Sequence, residues 1–254
     1  GLILAGIAAA LGKPLPRSPR AWLEIAFLGL FANALYLGCT YTALHRLSAG
    51  VGAIIASTNP LVLALVAPKL LGEALTTRKV IGLALGFGGV VGIMVARAGT
   101  QTALPADVAL SFVGVISSVG STLLFKRKRS DVDLVVFTAW QLVAAGLELI
   151  PFALLREGVP HVVLTATLGW SFVYLVLVLS IGASLMWFWL LTHGEASKVS
   201  AYYYLTPVFG LALSAALLGE HVGPRDLLGL VAIAAGIALV QRAGARDRAA
   251  EPAA

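Results

Sequence analysis

The chain has 254 residues, 59% hydrophobic and only 12% charged, and a mean hydropathy of +0.93. Soluble domains carry about 25% charged residues, and a water-soluble globule of this length has too much surface to cover with so few charges. That excludes most soluble enzymes and makes a bilayer the expected solvent; the net charge of +6 and pI near 9.7 then bear on membrane topology rather than on nucleic acid.

The opening run GLILAGIAAAL reads as the second half of a spanning helix, with no initiator methionine before it. The proline-rich GKPLPRSPR that follows cannot stay helical. Spanning segments are then predicted near residues 21–44, 48–69, 77–96, 106–125, 133–155, 168–192, 198–218 and 225–241. Each reaches or approaches the roughly 20 residues needed to cross hydrocarbon. Backbone groups in lipid must pair within their own segment, so these are helices and not lone strands. The last stretch, QRAGARDRAAEPAA, is polar and small, and is expected to be disordered. The single cysteine, Cys39, excludes an intrachain disulfide framework and a cysteine-rich metal site.

With these spans, basic residues divide unequally between the two sides. One side receives Lys13, Arg17, Arg20, Lys69, Arg78, Lys79, the run Lys126–Arg129, Lys198, Arg242, Arg246 and Arg248; the other receives only Arg46, Arg97, Arg156 and Arg225. The positive-inside bias puts the richer side, and with it the C-terminus, in the cytoplasm. The KRKR run at 126–129 is then a topology anchor.

An internal repeat organises the chain. Pro60 recurs as Pro207, Leu70–Glu73 as Leu217–Glu220, Arg78 as Arg225, Gly82 as Gly229 and Gly89 as Gly236, every pair 147 residues apart. An odd number of crossings separates the copies, so they are inverted with respect to each other, the arrangement characteristic of secondary transporters. Carrying the interval back from Pro105 places about forty residues ahead of Gly1, which gives an expected ten helices with the first and part of the second upstream. The domains are therefore expected at 1–99 (first repeat), 100–241 (second, inverted repeat) and 242–254 (cytoplasmic tail).

A five-plus-five inverted repeat, each half ending in a proline-bearing helix, an LLGE turn and a glycine-spaced helix, resembles the EamA-type drug/metabolite transporter superfamily. Residues 40–93, TYTALHRLSAGVGAIIASTNPLVLALVAPKLLGEALTTRKVIGLALGFGGVVGI, carry the resemblance most fully. It implies an all-α membrane fold, a solute cavity enclosed by helices of both halves, peripheral helices at 77–96 and 225–241, and export more often than uptake. A bacterial cytoplasmic (inner) membrane is the expected location, and a monomer or homodimer the expected state.

The residues can be read beside that resemblance. Pro60 and Pro207 each remove a backbone hydrogen bond inside a span, and broken helices tend to line cavities. Asn59 adds an amide beside the first break, and Thr206 stands at its equivalent; Ser200, Tyr203, Gly210 and Ser214 share a helix face with Pro207. That face either looks into the transport path or packs against another helix. Tyr41, Trp140, Trp187, Tyr203 and Tyr204 offer flat apolar surface with a polar tip, suited to an amphipathic solute or its cation, whereas Trp22 and Trp170 fit an interfacial anchoring role. With Asn59, Pro60 and Pro207, those five make up the predicted substrate site.

Glu148 is the one carboxylate well inside a span, and it either binds a cation or proton or, with Pro151 just beyond, marks a helix end. His45, near-equivalent to His193, is a second candidate for proton coupling. Glu73 and Glu220 are read as structural, accepting hydrogen bonds from the orphan amides of helices that begin at Thr76 or Thr77 and at Pro224. Gly82, Gly86, Gly88 and Gly92 have small-xxx-small spacing, for close packing or a dimer face. No lysine or arginine lies at mid-span, which disfavours strongly anionic solutes.

The absence of HExxH, GxSxG and P-loop motifs argues against an intramembrane enzyme and against ATP-driven transport. No cofactor, metal or nucleic-acid partner is expected; a small-molecule solute and membrane lipid are. A channel or lipid scramblase of the same architecture stays open beside a carrier.

Overall fold

The structure is a computed structural model that describes residues 1–47, 49–97, 104–127, 132–158, 164–218 and 221–243. Glu220, most of the C-terminal tail, the side chain of Ser214 and residues 128–129 of the KRKR run lie outside the described residues. The described residues contain helices and turns and no strand. The chain runs through α1 (Leu2–Ala10), α2 (Pro19–Gly29), α3 (Tyr36–Leu44), α4 (Ala49–Ala56), α5 (Asn59–Leu71), α6 (Thr77–Arg97) and α7 (Pro105–Arg127). It continues through α8 (Leu134–Glu157), α9 (Ala166–Tyr174), α10 (Ser184–His193), α11 (Ala196–Ser200), α12 (Leu205–Leu218) and α13 (Pro224–Arg242).

Polar residues at the loop ends start these helices as their chemistry dictates. Ser18 Oγ accepts from the Ala21 amide at 3.2 Å with Pro19 in the first turn of α2, and Asp133 Oδ1 accepts from Val135 at 2.9 Å to open α8. Thr165 does the same for α9, accepting from Leu168 at 3.1 Å.

Seven described helical stretches are long and apolar enough to cross a membrane: Pro19–Leu44, Val51–Leu71, Thr77–Val95, Pro105–Arg127, Leu134–Arg156, Ala166–His193 and Pro224–Arg242. The remaining predicted span, 198–218, is helical but interrupted, because a 3-10 turn at Ala201–Tyr204 separates α11 from α12. Pro207 has no amide proton to donate to the preceding turn, which loosens the backbone there. The first repeat breaks at the corresponding place: α4 ends at Ala56 and α5 restarts at Asn59 with Pro60 in its first turn.

A second pair of irregularities is also matched. Leu30–Leu35, between α2 and α3, and Leu175–Ala183, between α9 and α10, are both π-helical, and an interval of 147 carries the first onto the second. Neither segment contains a proline.

The chain packs as two compact units, each drawing on both sequence repeats. One comprises Gly1–Gly38 and Gly120–Gly194. Here α8 packs against α1, α2, the first π-helical stretch and α10. Phe125, Phe137 and Phe188 form an aromatic cluster with centroids 4.7–5.4 Å apart. Lys13 reaches Asp133 at 2.8 Å, and Lys126 Nζ donates to the carbonyls of Leu191 and Gly194 at 2.9 and 2.7 Å, satisfying the C-terminal end of α10.

The other unit comprises Cys39–Val119 and Glu195–Ala254 and is built on the antiparallel crossing of α6 and α13. A Cβ at Gly82 would stand 2.7 Å from the Gly236 carbonyl oxygen, and one at Gly89 2.7 Å from that of Gly229. The repeat pairs Gly82 with Gly229 and Gly89 with Gly236, whereas the contacts are Gly82 with Gly236 and Gly89 with Gly229. That exchange is the mark of a local twofold relation between the two helices. Leu83, Val90, Ile93, Tyr204, Ile233 and Val240 fill the core around it. Gly88 and Gly92, from the same glycine series, have nothing within 4 Å and are exposed. The packing reading therefore holds for Gly82 and Gly86, while Gly88 and Gly92 are left uncovered in the monomer.

Candidate functional site

In the unit built on α6 and α13, both helix breaks carry buried prolines, Pro60 and Pro207. Asn59, 3% exposed, donates from Nδ2 to Ser118 Oγ at 3.0 Å, and the Ser118 hydroxyl in turn hydrogen-bonds the phenol of Tyr203. A polar bridge through α7 thus joins the start of α5 to the 3-10 turn before α12, bringing Asn59 and Tyr203 together. Asn59 Oδ1 remains buried without a partner. Ser200, fully buried, donates to the Ser197 carbonyl at 3.0 Å and is engaged within its own turn.

Tyr204 has a different occupation from its neighbour. It is 0% exposed, its hydroxyl donates to the Leu83 carbonyl at 3.1 Å, and its ring fills the space left by Gly86. The structure gives this residue a packing role between α6 and α13. A triple tyrosine run on a 3-10 turn sends successive side chains in different directions, so Tyr202 is exposed, Tyr203 faces Ser118 and Tyr204 enters the core.

The remaining sequence candidates are spread out. Tyr41 is 57% exposed on α3, and His45 is exposed in the turn after that helix. Trp140 stands edge-on to Trp22 at 5.1 Å, and Trp22 Nε1 donates to the Pro16 carbonyl at 3.1 Å, so this pair sits at the loop end of α2. Trp187 is half-buried on α10. Glu148, on α8, is half-buried with Oε2 enclosed and unpartnered.

Glu73 caps a helix, but not the one that follows it. Gly72, at φ +68°, ends α5 in the left-handed conformation, and Thr76 Oγ1 takes the capping bond of α6 from the Lys79 amide at 3.3 Å. The Glu73 carboxylate instead accepts from the amides of Ala196 and Ser197 at 2.5 and 3.0 Å and from Ser197 Oγ at 2.6 Å, at the start of α11. Beside it Lys79, 2% exposed, donates to Glu195 Oε2 at 2.6 Å and to the Ala74 carbonyl at 2.8 Å, and Lys198 pairs with Glu195 at 3.1 Å. Burial pushes the Glu195 carboxyl up, but the two ammonium groups outweigh it and hold it below the usual glutamate value. Lys13 likewise holds Asp133 below the usual aspartate value.

Two polar residues escaped the sequence reading. Ser118 belongs to a hydroxyl-bearing ridge on α7 with Ser111, Ser121 and Thr122, all buried; its seven- and three-to-four-residue spacing was visible but unremarkable among small residues. Gln141 on α8 is 0% exposed, and neither its Oε1 nor its Nε2 has a hydrogen-bond partner. The signal that would have found it is its place on the same helical face as Glu148, seven residues earlier. No cluster of His, Cys, Asp or Glu suited to a metal ion occurs among the described residues.

Apolar spanning helices, an inverted repeat, and matched breaks that bring polar groups into the interior define an integral membrane transporter of the inverted-repeat class. The EamA-like transporter family model matches residues 1–95 and 106–242, and the chain belongs to that family. It is 30% identical over 241 residues to Protein PecM of Dickeya dadantii, covering 93% of this chain and 79% of that protein. It is 30% identical over 268 residues to the uncharacterized transporter YvbV of Bacillus subtilis, covering 98% and 85%. With the uncharacterized inner membrane transporter YedA of Escherichia coli it shares 28% over 244 residues, covering 94% and 77%. A protein of known crystal structure matches with a TM-score of 0.76 at 20% identity over 94% of this chain and 82% of that one, a likeness of fold alone. The family, YvbV and YedA carry the names of transporters.

Proposed function

We propose that the chain is a secondary carrier that exports a small neutral, zwitterionic or cationic organic solute, such as an amino acid or amphipathic drug, by alternating access. The observation that carries this reading is the matched pair of helix breaks ahead of Pro60 and Pro207, with Asn59, Ser118 and Tyr203 bridging them in the interior. The proposed location is a bacterial cytoplasmic membrane with the C-terminus inside. The ion pairs Lys13–Asp133 and Lys79–Glu195 support that orientation, since each joins groups assigned to the cytoplasmic side. Pro60, Pro207, Asn59 and Tyr203 are the proposed solute contacts at the breaks, with Tyr41, Trp140 and Trp187 as candidates further out. Glu148, and less directly His45, are the proposed proton-coupling groups. The carrier works as a monomer or as a homodimer.

The test is uptake into proteoliposomes by the full-length protein across a panel of small organic solutes, with and without a pH gradient. A carrier gives saturable flux for at least one solute, and Glu148→Gln abolishes any dependence on the gradient. Ohmic flux, or lipid flipping with no saturable solute flux, would replace the carrier with a channel or scramblase. Unchanged gradient dependence in Glu148→Gln would remove Glu148 from coupling.

A further inference from the structure

Three polar atoms on one face of α8 have no partner in the protein. Gln141 is fully enclosed with both Nε2 and Oε1 unpaired, and Glu148 Oε2 is enclosed and unpaired. Thr138, one turn earlier on the same face, is satisfied, donating from Oγ1 to the Leu134 carbonyl at 2.7 Å. Removing an amide from water without replacing its hydrogen bonds is unfavourable, and buried polar groups in native proteins are almost always paired. Two such residues in helical register point to something that pairs with both.

Their surroundings are shaped for a close neighbour. A Cβ at Gly29 would lie 2.8 Å from the Gln141 carbonyl oxygen and 3.1 Å from the Ala145 amide, so α2 touches α8 backbone to backbone there. The next residue begins the π-helical stretch Leu30–Leu35, which packs on α8, and Gly38 beyond it comes within 3.4 Å of Leu149 as a Cβ would be placed. The Gln141–Glu148 stripe thus runs beside a π-helical turn bracketed by glycines, and π-helical insertions favour functional sites.

We propose that Gln141 and Glu148 form a two-point recognition strip for an elongated organic ammonium. The Glu148 carboxylate takes the ammonium, and the Gln141 amide takes a carboxamide, carbonyl or hydroxyl group about two helical turns, roughly 10 Å, away. Gln141 supplies one donor and one acceptor side and so matches a carboxamide with complementary bonds. Glu148 is an acceptor in its ionised form, and none of the described ion pairs supplies it with a cation. This assignment rests on the carrier reading and narrows it to a solute with a charged and an amide-like end.

The experiment is calorimetric binding to the full-length protein in lipid nanodiscs with three matched probes: 6-aminohexanamide, hexylamine and hexanamide. The expected result is that 6-aminohexanamide binds about tenfold or more tightly than either single-ended probe, the loss for one unmade buried hydrogen bond or ion pair. Gln141→Leu then removes the advantage over hexylamine without changing the hexylamine Kd, and Glu148→Gln removes the advantage over hexanamide. Equal affinities for the three probes in the wild type, or an unchanged ratio in Gln141→Leu, overturns the assignment. Should Gln141→Leu fail to accumulate, the wild-type ratio and Glu148→Gln decide it alone. Saturable flux of other solutes with no binding of 6-aminohexanamide removes this inference and leaves the carrier standing, whereas absence of any saturable flux removes the carrier itself.

Discussion

Gly236→Leu should unfasten the α6–α13 crossing. A Cβ on Gly236 would stand 2.5 Å from the Gly82 carbonyl oxygen, 2.6 Å from the Gly86 amide nitrogen and 2.9 Å from Gly86 Cα. All three are backbone atoms and cannot rotate aside. Restoring an ordinary carbon–oxygen contact requires the helices to part by roughly 0.8 Å, and a gap of that size forfeits about a quarter to a half of the dispersion energy of the atoms lining it. Those atoms belong to the core formed by Leu83, Val90, Ile93, Ile233 and Val240. Overpacking of this kind costs about 1–3 kcal/mol and occasionally more; the gain in helix propensity on leaving glycine returns up to ~1 kcal/mol, and the leucine branch adds bulk beyond Cβ. The net loss expected is about 1–3 kcal/mol, which lowers the melting temperature of a chain this long by roughly 2–12 °C. Thermal melting in micelles, read as the monodisperse fraction remaining on size-exclusion chromatography, measures it. Gly88→Leu is the control, since Gly88 lies on the same helix with nothing within 4 Å. Equal melting of the two variants would refute the claim that the glycines at 82 and 236 set the helix separation.

Three further outcomes follow from the same geometry. Glu73→Ala removes the acceptor for the Ala196 and Ser197 amides and should cost about 1–2 kcal/mol in the same melting assay, with Glu73→Gln losing less. Glu195 and Asp133 are held below their usual values, so the stability they contribute is fully present above the ordinary carboxylate pKa of about 4 and is lost as pH falls through the lower folded values; Lys79→Met should melt earlier at neutral pH and lose less on acidification from about pH 5 to 3. Gly86→Ala drives a methyl into the Tyr204 ring, and Tyr204→Ala should relieve it, giving a coupling of about 1 kcal/mol or more in a double-mutant cycle; strict additivity would show that the two do not share the space.

Much of the fold was legible because a bilayer imposes simple rules. Uniform apolarity and the requirement for internal hydrogen bonding located the helices, and the repeat interval located both breaks through their prolines. The π-helical stretches were not legible, since LFANAL and LVLVLSIGA contain no proline and read as apolar spanning helix. The candidate site was legible only where chemistry was unusual for its depth, as with Asn59 beside Pro60 or Glu148 inside a span. Tyr203 and Tyr204 could not be separated by type, because a 3-10 turn rather than composition decides which of two adjacent tyrosines meets Ser118 and which enters the core. Glu73 was recognisable as a cap, but the helix it serves is more than one hundred residues away in the chain, and no local rule reaches that far.

The places where the two repeats agree and differ separate scaffold from site. At the α6–α13 crossing Gly82 and Gly236 face each other's carbonyls, as do Gly89 and Gly229, so the contact is reciprocal, and adding a side chain in either copy would part both helices. Identity between the copies is then a geometric requirement, and Gly82, Gly89, Gly229 and Gly236 meet it. At the breaks the proline and the backbone defect are shared, but the side chains around them are not. Asn59 stands where Thr206 does in the other copy and Ser57 where Tyr204 does, while Gly86, which makes room for Tyr204, is matched by the bulkier Ile233. Side chains that differ between the copies give a solute path an asymmetry that identical positions on the twofold relation do not. Asn59, standing where Thr206 does, is such a position among the proposed solute contacts, whereas the glycine crossing, the same in both copies, serves packing.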